Sequence, residues 1–250
     1  MKALITGASY VIGKELSLKL SELGYDLILV SRNKKALEEL KEELKTKVII
    51  YDYDLSNMDN IYKLYEKTKN ENIDLLINNA GFGELKEFIK SDINNDLNMI
   101  DLNIKAVHLL TKLYLKDMVD NDRGRILNVS SSAAFQPGPL MSTYYATKGY
   151  VYSMTMAIYE ELRRMNSKVQ VHVLCPGAFK TAFFKRANID KVTYVLDVNY
   201  IAQYTLKEMF KNKLLIVPGL KMKFVVFFGR FIPRKLMLKL TYKVQKNKIN

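Results

Sequence analysis

Short apolar runs alternate with amphipathic segments along almost the whole chain. The runs predict strands and the amphipathic segments predict helices. Regular alternation of this kind is typical of an α/β, doubly wound fold, in which helices cover both faces of a parallel sheet. We predict seven parallel strands, at residues 2–6, 26–31, 48–52, 73–78, 125–130, 169–174 and 214–217. Helices are predicted at residues 12–23, 34–45, 57–69, 94–119, 143–165 and 197–211.

The ends of several helices carry residue types that favour capping. Ser56 and Asp96 are candidate N-caps, and Gly24 is placed to close the first helix. No Pro-, Gly- or Ser-rich linker divides the 250 residues. We therefore expect a single domain over residues 1–250, with residues 218–250 as a C-terminal extension.

The charge distribution and the cysteine content indicate which part of the chain is basic and which compartment to expect. The net charge is +13, and residues 211–250 contain eleven basic and no acidic residues, which leaves +2 for the rest of the chain. The lone Cys175 has no disulfide partner and is expected to be a buried structural thiol. The N-terminus lacks the pattern of a secretory signal, so we expect a cytoplasmic protein.

The first predicted strand runs into the turn TGASYVIG at residues 6–13, and a helix follows. Backbone N–H groups at such a helix N-terminus attract phosphate, and the helix dipole adds to that attraction. This strand, turn and helix predict a dinucleotide site at the carboxyl end of the sheet. A plain structural turn is the alternative.

The second predicted strand ends in Ser31, followed by Arg32. An acidic residue at this place would hydrogen-bond the adenosine ribose of NAD, whereas a neutral serine beside an arginine suits a 2′-phosphate. The pair favours NADP(H), unless Arg32 is simply an exposed arginine.

A tyrosine–lysine pair follows the fifth predicted strand. Tyr144 and Lys148 lie four residues apart on a predicted helix, so their side chains share one face. A lysine cation beside a phenol lowers its pKa, as a general acid requires. Tyr145 would also approach the lysine, so spacing alone does not choose the tyrosine. Ser131 precedes the pair and would hydrogen-bond a substrate carbonyl.

These motifs together resemble those of the classical short-chain dehydrogenase/reductase family, over about residues 2–217. The matching residues are TGASYVIG, Asp54-Leu55, Asn78-Asn79-Ala80-Gly81, Asn103, Ser131, Tyr144 with Lys148, and Pro176-Gly177 with Thr181. The resemblance implies a Rossmann fold and an NADP(H)-dependent oxidoreductase that interconverts a ketone or aldehyde and an alcohol.

The resemblance also implies a role for each matching residue. Tyr144 would exchange a proton with the substrate oxygen, Lys148 would lower the Tyr144 pKa and hold the nicotinamide ribose, and Ser131 would orient the carbonyl. Asn103 would connect Lys148 to a proton path through a water molecule. The implied cofactor-binding residues are Gly7, Ser9, Ile12, Gly13, Arg32, Asp54, Leu55, Asn79, Tyr144, Lys148 and Thr181. No metal is implied.

Two residues depart from the family pattern. Val11 replaces a glycine of the turn, and Phe179 replaces a smaller residue near the nicotinamide. A β-branched residue at positive φ is penalised by about 1–2 kcal/mol, whereas at helical φ valine fits without this strain. We expect Val11 to weaken or re-angle cofactor binding and not to abolish it.

The C-terminal extension mixes lysines with aromatic and aliphatic residues, as in LKMKFVVFFGRFI at residues 220–232. This composition suits a segment that lies on a membrane, although the apolar stretch is too short to cross one. The alternative is that Phe224, Phe227, Phe228 and Phe231 cover the substrate cleft or a subunit interface. Nucleic acid binding lacks any accompanying motif.

The expected partners follow from the resemblance. They are a small carbonyl or alcohol substrate, apolar if the tail contacts it, and further copies of the chain in a homodimer or homotetramer. The rival interpretation is a catalytically weak or inactive nucleotide-binding or membrane-docking protein on the same fold. An epimerase or dehydratase of the extended branch is disfavoured, because little chain is left for a substrate domain.

Overall fold

The computed structural model describes residues 1–178 and 196–248. Within them lies a seven-stranded parallel sheet. Its strands are β1 (Lys2–Thr6), β2 (Asp26–Val30), β3 (Val48–Tyr51), β4 (Leu75–Asn78), β5 (Arg125–Val129), β6 (Gln170–Leu174) and β7 (Leu215–Ile216). The spatial order 3-2-1-4-5-6-7 reverses direction between β1 and β4. The predicted doubly wound Rossmann fold is confirmed.

Helices connect the strands and cover the sheet. The described α-helices are α1 (Val11–Glu22), α2 (Lys34–Glu43), α3 (Met58–Thr68), α4 (Ile93–Ile100), α5 (Val107–Asp120), α6 (Ser142–Arg164), α7 (Val198–Phe210), α8 (Leu220–Gly229) and α9 (Arg234–Lys246). Short 3₁₀ turns span Phe88–Lys90 and Ser132–Phe135, and one π-helical segment spans Asp101–Ala106.

Two apolar clusters form the core, one on each face of the sheet. Leu16 of α1 and Leu206 of α7 pack against one face, together with alternate residues of the inner strands. Ile61 of α3 and Leu110 of α5 pack against the other. The strands read as continuous apolar runs because both of their faces are buried.

The predicted strands agree with the observed strands to within two residues at each end. The predicted helix at residues 94–119 is wrong as a single α-helix, because the π-helical segment Asp101–Ala106 separates α4 from α5. The residue types of a π-helical segment do not differ from those of an α-helix. The apolar pattern therefore continued through the segment and gave no sign of a boundary.

Both predicted N-caps are wrong, although Gly24 does follow α1 with a φ of +82°. Asn57 caps α3 and Asp92 caps α4. The hydroxyl of Ser56 instead donates to the Asp54 carboxylate at 2.7 Å. Asp96 lies inside α4 and accepts a hydrogen bond from a neighbouring serine hydroxyl. Short polar side chains compete for several local partners, so the residue type alone did not identify the cap.

The C-terminal extension forms helices α8 and α9, which the sequence did not predict. α9 begins directly after Pro233. Within residues 1–178 and 196–248, no helix combines the length and the apolar character needed to cross a bilayer.

Candidate active site

A cavity of about 930 Å³ opens at the carboxyl ends of the strands, where the strand order reverses. This edge is where ligands bind in doubly wound sheets. The cavity runs from Arg32 and Asp54 at one end to Tyr144 and Gln245 at the other. Of the residues named from the sequence, Gly7, Ile12, Arg32, Asp54, Leu55, Asn79, Ser131, Tyr144 and Lys148 line it.

The glycine turn packs tightly against the end of β4. Gly7 has a φ of +62°, and a β-carbon there would lie 2.9 Å from Ala80 Cα. A β-carbon on Gly13 would lie 2.3 Å from the Gly7 carbonyl oxygen. Within the described part of the chain, no side chain caps the N-terminus of α1, and its first turn holds no acidic residue. An uncapped, positively polarised helix end on the cavity fits the pyrophosphate of a dinucleotide.

Val11 is the strained residue of this turn. Its φ is +22°, and it lines the cavity beside Gly7 and Ile12. A β-branched residue at positive φ costs about 1–2 kcal/mol, and its methyl groups occupy space next to the backbone that faces the cavity. The less favourable of the two conformations considered from the sequence is therefore the observed one.

The far end of the cavity holds hydroxyl groups and a guanidinium group. Ser9 Oγ and Ser31 Oγ lie 2.6 Å apart, which joins the turn to the end of β2. Arg32 Nη1 lies 3.4 Å from Asp54 Oδ2, and both side chains are exposed. Burial would raise the Asp54 pKa, but hydrogen bonds from Ser56 and the charge of Arg32 lower it overall. Asp54 is thus a carboxylate near neutral pH, and Arg32 is a cation beside it.

Asn79 holds the glycine turn in place through its amide group. Its Nδ2 donates to the carbonyl oxygens of Thr6, at 3.0 Å, and Gly7, at 3.1 Å. The family resemblance implies that Asn79 contacts the cofactor, and Asn79 does line the cavity, although its amide N–H groups bond the turn. Thr181 and Phe179 lie outside the described residues.

Tyr144 lies in the first turn of α6, beside Ser131 at the end of β5. Burial raises the pKa of the Tyr144 phenol to about 12, and a hydrogen bond with Ser131 offsets only part of the rise. Tyr145 instead hydrogen-bonds Gln245 of α9 through its hydroxyl. Of the two tyrosines, Tyr144 is therefore the one whose side chain meets Ser131.

Lys148 is buried behind Tyr144, with Nζ 5.9 Å from the centre of the tyrosine ring. Its Nζ donates to the Val129 carbonyl at 3.0 Å, and Ser130 Oγ donates to the Lys148 carbonyl at 2.7 Å. These bonds fix α6 to the end of β5. Burial lowers the pKa of Lys148 to about 8, so the ammonium form is held at a cost.

The sequence-based expectation that Tyr144 has a lowered pKa is wrong for the protein without its cofactor. Burial disfavours the charged forms of both Tyr144 and Lys148, and it is the largest cause of the pKa shift of each. Sequence spacing indicated that the two groups are neighbours and carried no measure of their burial. At neutral pH the phenol is protonated, which is the form that donates a proton.

Asn103 lies in the π-helical segment and is fully buried. Its Oδ1 accepts from the Phe82 N–H at 3.1 Å, and its Nδ2 donates to the Phe82 carbonyl at 2.8 Å and to Thr147 Oγ1 at 3.1 Å. A β-carbon on Gly81 would lie 2.9 Å from Asn103 Oδ1 and 3.2 Å from Lys148 Nζ. The amide of Asn103 and the ammonium of Lys148 therefore meet above this glycine.

Several positioning residues were not identified from the sequence. Thr6 Oγ1 accepts from the N–H groups of Asn79 and Ala80, at 3.0 and 3.1 Å, and so joins β1 to the end of β4. Gln245 and Lys248 line the cavity from the C-terminal extension. Thr6 is the first residue of the glycine turn, which was a usable signal, whereas nothing local linked residues 245–248 to the site.

The chain has clear relatives of known family. The family model described as short chain dehydrogenase matches residues 1–192. Human 17-beta-hydroxysteroid dehydrogenase type 3 is 34% identical over 206 residues, a match that covers 78% of this chain and 64% of that protein. The chain thus spans less than two thirds of this relative's length.

Two solved structures have a similar fold. A short-chain dehydrogenase from Sphingobium yanoikuyae in complex with NADPH has a TM-score of 0.83 and 27% identity, with 94% of each chain covered. A short chain dehydrogenase/reductase from Burkholderia phymatum in complex with NAD has a TM-score of 0.83 and 22% identity, with 92% of each chain covered. With the glycine turn, the Tyr144–Lys148 pair and the family match together, the chain belongs to the short-chain dehydrogenase/reductase family of oxidoreductases.

Proposed function

We propose that the protein is an NADP(H)-dependent oxidoreductase that interconverts a ketone or aldehyde and an alcohol, with Tyr144 as general acid/base. The observation that carries this proposal is the cluster of Ser131, Tyr144 and Lys148 at one end of the cavity, with the glycine turn further along it. A protein that only binds a nucleotide has no need to bring a phenol, a hydroxyl and an ammonium together at one end of its cavity.

The residues of this cluster divide the reaction between them. When bound, the nicotinamide supplies or accepts the hydride at the carbonyl carbon. In reduction, Tyr144 donates its phenolic proton to the carbonyl oxygen, which Ser131 holds by a hydrogen bond. In oxidation, the Tyr144 phenolate accepts the proton from the alcohol. Lys148 places a positive charge beside the phenolate and stabilises it.

The remaining side chains hold these groups in place. Asn103 fixes the Phe82 backbone and Thr147, and so sets the height of α6 above the π-helical segment. We propose that the water-mediated proton path implied by the family runs over Gly81, where Asn103 and Lys148 meet.

NADP(H) is the proposed cofactor because of the residues after β2. Ser31 stands where an acidic residue would bond a ribose hydroxyl, and the Arg32 guanidinium is exposed nearby. The hydroxyl pair of Ser9 and Ser31 would add neutral donors for a 2′-phosphate. Solved relatives are described with NADPH and with NAD, so the choice depends on these side chains. Ile12, Leu55 and Thr181 remain proposed cofactor contacts.

The proposed substrate is a bulky, mainly apolar ketone or aldehyde. Met141 and Tyr145 line the cavity beside Tyr144, and Gln245 closes it from α9. A relative named as a hydroxysteroid dehydrogenase supports a substrate of this size. The expected homodimer or homotetramer stays a prediction.

The test is NADPH oxidation across a panel of ketones and aldehydes, with the alcohol product quantified. We expect equimolar NADPH loss and alcohol formation. Tyr144→Phe should abolish turnover, whereas Tyr145→Phe should retain it and change KM, since Tyr145 contacts the substrate end of the cavity. Tyr150→Phe, on the outer part of α6, is the matched control. Turnover that survives in Tyr144→Phe and fails in Tyr145→Phe would assign the chemistry to the other tyrosine.

A non-catalytic nucleotide-binding protein is the second candidate, and the positive φ of Val11 favours it. Saturable NADPH binding with no product from any carbonyl in the panel would support this second candidate over the enzyme.

A further inference from the structure

The inner side of helix α8 anchors it to the body of the protein. Val226 is 9% exposed and packs with Val173, Cys175 and Val217. A β-carbon on Gly177 would lie 2.6 Å from the Met222 side chain, one turn earlier on the same helix. α8 therefore has a fixed orientation on the protein, with its other side turned outward.

The outer side of α8, continued by Phe231 two residues beyond its end, is aromatic and exposed. Phe224, Phe227, Phe228 and Phe231 are 53–72% exposed, and Val225 between them is 59% exposed. The phenyl rings contact one another, with centroid separations of 5.2–6.1 Å. A contiguous apolar patch of this kind on a folded protein marks an interaction surface. We call these five residues the α8 patch.

Charge identifies the partner of the α8 patch. Residues 211–250 contain eleven basic and no acidic residues. A second copy packed on the patch across a two-fold axis would bring two such basic segments together, which Coulomb repulsion opposes. The other 210 residues carry a net charge of +2, so a second copy has no net negative charge to offer to this basic segment.

An anionic bilayer satisfies both features of this surface. Phenyl rings enter the boundary between headgroups and acyl chains, and lysine and arginine side chains pair with lipid phosphates and carboxylates. The patch consists of phenylalanine and valine side chains, which carry no hydrogen-bonding group that would lose its water partner on entering the bilayer.

Helix α9 connects the α8 patch to the cavity. Gln136 Nε2 donates to Thr241 Oγ1 at 3.3 Å, and Gln245 Nε2 donates to the Tyr145 hydroxyl. Gln245 and Lys248 line the cavity. The helix that forms the substrate end of the cavity thus follows the exposed aromatic helix by only a few residues.

We propose that the α8 patch docks the protein on an anionic membrane surface, so that the α9-lined end of the cavity receives carbonyl substrates dissolved in the lipid. The substrate part of this proposal rests on the function proposed above, and the docking part does not. The alternative in which the four phenylalanines of this patch cover the substrate cleft is wrong, because they are 53–72% exposed and Gln245 and Lys248 line the cavity instead.

Sedimentation with vesicles tests the docking. The full chain is mixed with vesicles of equal parts phosphatidylcholine and phosphatidylserine, or with phosphatidylcholine alone. We expect strong binding to the anionic vesicles, weakened by salt. The Phe227→Glu/Phe228→Glu variant should bind at least about tenfold more weakly, because it lacks two phenyl rings that enter the bilayer when the native protein docks.

The matched control is Tyr62→Glu/Ile89→Glu, which changes the charge equally at exposed apolar residues away from α8. It should bind as the native protein does, and circular dichroism should show both variants folded. The proposal is overturned if the native protein does not bind anionic vesicles. It is also overturned if the Phe227→Glu/Phe228→Glu variant binds them as strongly as the control does. A native dimer that this variant dissociates overturns it as well, because the patch would then be an interface between copies.

A second measurement tests substrate delivery. NADPH-dependent reduction of a long-chain aldehyde held in vesicles should have a higher kcat/KM on anionic than on neutral vesicles, and only when the α8 patch is intact. Reduction of a small water-soluble aldehyde should be equal in all three proteins. Equal rates on both vesicle types overturn the delivery claim. Absence of turnover with the soluble aldehyde, with lipid binding intact, overturns the proposed function and leaves docking standing.

Discussion

Two regions of the cavity hold costly features of different kinds. The catalytic end is formed by Ser131, Tyr144 and Lys148. Burial there lowers the pKa of the Lys148 ammonium to about 8 and raises the pKa of the Tyr144 phenol to about 12. At the turn end, formed by residues 6–13, Val11 holds a strained backbone angle. The first cost falls on the Lys148 ammonium, which would take part in the reaction, and the second falls on a side chain without chemistry. Changes at the catalytic end should therefore alter rates, and changes at Val11 should alter affinity.

After Tyr144→Phe, the largest expected effect is that of Lys148→Met. Turnover should fall at least about a hundredfold, because the charge beside the Tyr144 phenolate is removed. Stability at pH 7 should rise by about 1–2 kcal/mol: the burial penalty of about 3 kcal/mol disappears, and loss of the hydrogen bond to Val129 offsets part of the gain. Urea denaturation and steady-state kinetics measure the two effects, with the exposed Lys112→Met as control.

The lowered pKa of Lys148 also predicts how the stability of the native protein depends on pH. Between pH 8 and pH 10.5 the unfolded chain retains the Lys148 proton that the folded chain has released, so stability rises with pH across this window. The rise from this group should vanish in Lys148→Met. Identical pH slopes in the native protein and in the variant would contradict a buried, charged Lys148.

Gly13→Ala tests how tightly the turn end is packed. The added β-carbon would lie 2.3 Å from the Gly7 carbonyl, so we expect a loss of about 1–3 kcal/mol in stability and weaker NADPH binding. Gly24→Ala meets no atom within 4 Å but keeps a φ of +82°, and so reports the backbone strain alone. Thermal unfolding with and without NADPH separates the two. A Gly13→Ala variant as stable as the native protein would show that the turn is not closely packed.

Ser31→Asp/Arg32→Ala tests the cofactor choice. The new carboxylate would repel a 2′-phosphate and accept a hydrogen bond from a ribose hydroxyl, so the NADPH:NADH ratio of kcat/KM should fall about 10- to 100-fold. Lys34→Ala, at an exposed neighbouring lysine, removes one charge and should leave the ratio within about twofold. An unchanged ratio in the double variant would show that Ser31 and Arg32 do not determine the cofactor preference.

Val11→Gly should have the smallest effect. Glycine relieves the positive φ and clears space beside the phosphates, so the Kd for NADPH should fall about 3- to 10-fold with kcat unchanged. Val11→Ala keeps the β-carbon at the same angle and separates strain from bulk. Isothermal titration measures both variants. Undetectable binding in the native protein, restored by glycine, would mean that the turn end has lost its function.

Much of the fold was predictable because burial of both strand faces leaves apolar runs that stand out in the sequence. The π-helical segment was not, although it positions Asn103, because its composition matches that of the flanking helices. The caps at Asn57 and Asp92 were missed because neighbouring polar side chains compete for the same backbone groups.

The site was predictable where neighbouring residues in the sequence remain neighbours in the fold. Tyr144, Lys148 and Ser131 meet as their spacing and order predicted. The pKa of Tyr144 depends on burial, to which the sequence-distant Leu85 contributes by packing in the same cluster. The contact between Tyr145 and Gln245 spans 100 residues, and no local pattern marks it. Tertiary packing determined both features.

A single-turnover experiment tests the central claim most directly. The native protein and Tyr144→Phe are loaded with NADPH, mixed with a reactive aldehyde, and followed by nicotinamide absorbance. We predict equal NADPH affinity in both, and a rate of oxidation that falls about 10²- to 10⁴-fold in Tyr144→Phe, because only the proton donor is lost. Equal oxidation rates in the two proteins, or bound NADPH that the native protein never oxidises, would contradict the assignment of catalysis to Tyr144.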